Sequence, residues 1–152
     1  MRYGGLVFVL VVLAAYAHAQ AVDEPFERLV SARTLRCVMD RGTQASWDAG
    51  NLKLEPADYG PGGNYVFDSV DIKQGKARVI GSSAAADVRV QATKAGLTFT
   101  EETPTGGLYI TTVFAKYDSP ESRRFIAVES QHVLVPDIPF PAQFHGTCIP
   151  LE

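Results

Sequence analysis

From Thr34 to the C-terminus, apolar and polar residues alternate in short runs that glycine, proline and aspartate interrupt. The clearest stretches are Val88-Arg89-Val90-Gln91-Ala92 and Leu97-Thr98-Phe99-Thr100-Glu101. Each sets apolar side chains on one face and polar ones on the other, as a half-buried strand requires. The pattern predicts nine strands, over 34–40, 50–55, 64–72, 76–82, 86–93, 96–103, 107–117, 123–135 and 143–149. Gly75 and Gly96 close tight links where a hairpin needs positive φ. Such short links make sequential strands antiparallel, because a parallel crossover takes a dozen residues or more. Pro120, in the turn Asp118–Glu121, prevents one continuous strand through 107–135. Before the strands, Asp23–Arg33 reads as a short helix: Asp23 can cap it, Pro25 suits its first turn, and Phe26, Leu29 and Val30 recur at helical spacing.

Eight or nine strands with regular turns define an all-β fold, either an antiparallel up-and-down β-barrel with one N-terminal helix or a β-sandwich. The two cysteines favour the barrel. Cys37 lies in the first strand and Cys148 in the last, so a disulfide between them joins the two ends of a meander. With only two cysteines the intramolecular pairing is unambiguous.

The chain begins differently. Arg2 precedes the apolar run Leu6–Leu13, and the small residues Ala17, Ala19 and Ala21 follow it. The run is well short of the roughly 20 residues that span a bilayer as a helix. This is the three-part pattern of a secretory signal, with cleavage expected between Ala19 and Gln20, or alternatively after Ala21. A single domain then occupies 22–152, and the mature N-terminus is expected at Gln20 or Val22. The mature chain has no second apolar run, so no membrane span is expected in it, and the expected location is secreted or periplasmic. An oxidising compartment also suits the disulfide.

Composition narrows the partners. The formal net charge is −3, and losing Arg2 with the leader makes it more negative. No basic field is available for phosphates, so a nucleic-acid partner is not expected. Hydrophobic residues at 46 % exclude a disordered chain.

Candidate chemistry is sparse. The Gly-rich stretch Asp58–Tyr65 feeds a strand and holds no Lys, so it reads as a mobile loop, not a phosphate cradle. Glu101 and Glu102 point to opposite faces and cannot act as one carboxylate pair. Glu101 shares the face of Leu97 and Phe99, which directs it inward if that face is the core. Ser130 and His132 share a strand face and Glu129 lies on the other; no G-x-S-x-G motif accompanies them. His132 and His145 are too few to suggest a metal. No catalytic residue, metal or cofactor is therefore expected.

Gly42 and Trp47, five residues apart near the first strand, resemble the N-terminal Gly-x-Trp of lipocalins at a different spacing. Lipocalins also place their helix after the barrel, whereas here it comes first. The likeness is one of barrel architecture and implies no family membership. The leading functional expectation is a non-enzymatic barrel that binds a small, partly apolar molecule, with Glu101, Phe99 and Tyr109 as candidate ligand-binding residues. The alternative is a protein-interaction module that uses loops 56–64 and 103–107 around a filled core. A hydrolase or isomerase would rest on Glu101 and His132 alone.

Overall fold

The computed structural model describes residues 24–81, 84–134 and 138–151. The leader, its cleavage site at Ala19 and Gln20, and the capping residue Asp23 lie outside the described residues. Among the described residues one α-helix, α1 (Glu24–Ser31), is followed by nine strands: β1 (Leu35–Asp48), β2 (Asn51–Asp58), β3 (Asn64–Asp71), β4 (Lys76–Ile80), β5 (Ala85–Thr93), β6 (Gly96–Glu102), β7 (Leu108–Tyr117), β8 (Phe125–Leu134) and β9 (Pro139–Pro150). Every neighbouring pair is antiparallel.

The sheet closes on itself. Leu35 to Val38 pair with β3 along one edge of β1 and with β9 along the other. Further along β1, Arg41 to Gln44 pair with β2 and β9 in the same way. β2 and β3 therefore share one edge of β1 and act as a single strand, interrupted by residues 59–63. The ring then has eight members, an even number, which lets an antiparallel meander close without a mismatched pair. At the seam, Cys37 and Cys148 are directly opposed in the β1–β9 register and form a disulfide with Cα atoms 4.0 Å apart. Backbones come unusually close here. A Cβ added at Gly42 or Gly146 would collide with a carbonyl oxygen of the strand opposite, so larger residues would push the seam open.

Inward positions follow the two-residue period: Val88 and Val90, Leu97 and Phe99, Phe125 and Ala127 are buried while their neighbours face outward. Three strands outrun their expected limits. β1 continues to Asp48 and β2 to Asp58, as a hairpin that extends past the barrel wall. Its residues lack a clear alternation because β2 has no buried face. β9 begins at Pro139, where Pro139 and Pro141 pair with β8 alone, since β1 engages β9 only from Ala142. A proline is tolerated on such a free edge because no ladder donor is missed there. Trp47 sits in the projecting hairpin and is exposed, so it takes no part in the core.

The helix lies across the end opposite the hairpin. Leu29 is fully buried in the core, and the Arg28 guanidinium stands over the rings of Tyr117 and Phe125 while donating to the Arg123 carbonyl. Glu24 pairs with Arg123, and Arg33 bonds with Val70 in both directions. Among the described residues no helix is long and apolar enough to cross a membrane.

Candidate functional site

Three consecutive strands build the site from their inward pairs. On β6 these are Phe99 and Glu101, on β7 Thr111 and Tyr109, and on β8 Glu129 and Gln131. Register stacks them in two layers: Phe99 opposes Thr111, which opposes Glu129, while Glu101 opposes Tyr109, which opposes Gln131. The second layer is nearer the hairpin end. Below both, Leu97, Val113 and Ala127 fill the barrel. The lower interior is packed, and the upper part holds a cavity of about 240 Å³.

One cavity wall is apolar. Phe67 and Phe99 stack with ring centroids 3.9 Å apart, and Val79 and Val88 flank them. The polar part of the lining adjoins this wall along the β6–β8 ladder and centres on Glu129, which is buried. Tyr59 donates to its Oε1 at 2.7 Å and Gln131 Nε2 to the same oxygen at 2.8 Å. Tyr65 donates to Oε2 at 2.7 Å, with the Thr111 hydroxyl at 3.4 Å. Each carboxylate oxygen thus has two donors. Burial, together with the neighbouring Glu129 charge, pushes both tyrosine hydroxyls well above the ordinary phenol range, so they stay protonated as donors.

Tyr59 reaches this site because the chain turns sharply there. A 3₁₀ turn at Gly60–Gly63 starts after it, Gly60 takes positive φ, and the Tyr59 amide bonds to the Asp40 carbonyl. The Gly-rich stretch expected as a loop forms this turn, with Gly60, Pro61 and Gly62 exposed and Gly63 buried against the Met39 carbonyl. Its glycines let the backbone come close enough to set the Tyr59 ring against Phe144, at 4.6 Å between centroids.

Glu101 lines the same cavity and is half-buried. It makes no side-chain hydrogen bond with any described residue, and its carboxyl is raised above the usual range by burial first and the Glu129 charge second. Tyr109, its partner across the β6–β7 ladder, is raised by burial and then by the two carboxylates. No Lys, Arg or His is among the described residues that line the cavity.

The structure therefore brings Phe99, Glu101 and Tyr109 together in one cavity. His132 is exposed on the outer face of β8, across the barrel wall from Glu101, and His145 is exposed on β9. Sequence reasoning misses Glu129 and Tyr59. Glu129 carries the same signal as Glu101, because it continues the apolar face of Phe125 and Ala127. Tyr59 carries none, since its direction depends on the turn. Comparison with protein-family models, curated proteins and solved structures finds no match to this chain.

Proposed function

We propose that this barrel is a non-enzymatic binder of a small, partly apolar molecule, seated in the upper cavity between the Phe67–Phe99 stack and the polar wall of β6–β8. The observation that carries the reading is this part-apolar, part-polar cavity above a packed lower interior. A barrel of about eight strands has room for core side chains or for one small ligand; here side chains fill the base and stop short of the rim. At about 240 Å³ the space is below the roughly 300–1,000 Å³ typical of drug-sized ligands, which favours a single ring with a short arm. The protein works outside the cytoplasm, secreted or periplasmic. The leader pattern of residues 1–19 supports this, as does a disulfide of the kind that persists in oxidising compartments.

A second reading, a protein-interaction module built on loops 56–64 and 103–107, is favoured by one observation: Tyr59, Gly62 and Thr103 from those loops line one cavity. Native mass spectrometry of protein taken from its own compartment separates the two. Extra mass that disappears on denaturation is the expected result. A bare mass, with no small molecule shifting the signals of the cavity rings, sinks the ligand reading.

A further inference from the structure

A molecule seated in the cavity takes water away from Glu101. That carboxylate has no hydrogen-bond partner among the described residues to offset the loss, and removing an unpaired charge from water is costly. Glu129 is not in the same position. Both its oxygens are already engaged by four donors, so it contributes a fixed negative charge to the cavity but few free lone pairs. The site is therefore negative in field, with Glu101 as its open carboxylate. An anionic ligand would meet two carboxylates, with no basic side chain among the described lining residues to hold it. A divalent metal would need six or more oxygens, or waters, around one open carboxylate. A protonated amine satisfies Glu101 directly, and the Tyr109 ring beside it adds a face that attracts cations. The Phe67–Phe99 stack in the deeper layer matches an apolar body.

We infer that the ligand is a small organic cation, a protonated amine on an aromatic or alicyclic body, and that Glu101 is the residue its ammonium group meets. This rests on the cavity being a ligand site, as proposed above. The amine sits in the upper layer with Glu101 and Tyr109, and the ring lies below against Phe99. Glu129 acts at one remove, as the charge that deepens the preference.

The test uses three probes of nearly equal shape, 2-phenylethylammonium, 2-phenylethanol and 3-phenylpropanoate, titrated calorimetrically into the disulfide-bonded protein near neutral pH. The ammonium is expected to bind at least about tenfold tighter than the alcohol, with the carboxylate weakest. In Glu101→Gln the ammonium and the alcohol should fall within about twofold of each other. A thermal melt first establishes that this variant is folded. Equal or tighter binding of the alcohol overturns the cation inference and leaves the cavity reading standing. A cation preference that survives undiminished in Glu101→Gln overturns the role of Glu101. If none of the three binds, the inference fails, and mass spectrometry of the native protein decides separately whether the cavity holds anything.

Discussion

Glu129 holds four donors at once, and its loss should be felt through them. In Glu129→Ala the buried Tyr65 hydroxyl and Thr111 lose their acceptor, as does Tyr59. Buried donors left unpaired cost about 1–3 kcal/mol each, so a loss of about 3 kcal/mol or more is expected. Glu129→Gln keeps one acceptor oxygen and should cost about 1–2 kcal/mol. Chemical denaturation of both variants checks the order. Glu101 behaves in the opposite way. Burial and the Glu129 charge raise its carboxyl in the folded chain, which therefore binds that proton more tightly than the unfolded chain does. The resulting stability is complete below the unfolded carboxylate range and is lost as pH rises through the raised value. At neutral pH the ionised group costs stability. Glu101→Gln should melt higher than the parent there, with the gain disappearing in acid. Melting curves across that pH range would contradict this if the two proteins superimpose at neutral pH.

The helix is held by the fully buried Leu29, by Val30 packed against the core, by the Arg28 guanidinium over two rings and by exposed polar contacts. Leu29→Ala removes the first and should cost about 2–5 kcal/mol, within the range for deleting a buried leucine side chain to alanine. Hydrogen exchange should show α1 losing protection while the strand ladders keep theirs, since helix and sheet can open separately. The helix and most strands are legible in the sequence because one face of each meets the core, so burial imposes a period. Where an element leaves the core, that period fades. β2 has no buried residue and β1 beyond Asp40 has none, so the hairpin is underestimated at both ends. The same physics governs the site. Glu101, Phe99 and Tyr109 lie on inward positions that strand parity reveals, and Glu129 obeys the same parity. Tyr59 is placed by a 3₁₀ turn whose glycines permit several paths, and alternation carries no information about which one the chain takes.

At the scale of the whole molecule, the seam between β1 and β9 decides whether the barrel is closed. The Cys37–Cys148 bond joins positions 111 residues apart, and chain-entropy reasoning gives such a link up to about 4.7 kcal/mol. Cys37→Ala/Cys148→Ala should therefore melt well below the parent while its far-ultraviolet circular dichroism still shows the strand content. Loss of that signal would mean that the bond, rather than the sheet, defines the fold.

Because α1 covers the lower end, the barrel is shaped as a cup, and a guest of the kind proposed would leave by the rim through which it came. Whatever narrows the rim, whether the turn at Gly60–Gly63 or a molecule resting on it, slows arrival and departure by the same factor. Residence time can then be lengthened without any change in affinity, unless the obstruction itself touches the guest. Substitutions around the rim should separate into those that move only the clock and those that move the equilibrium.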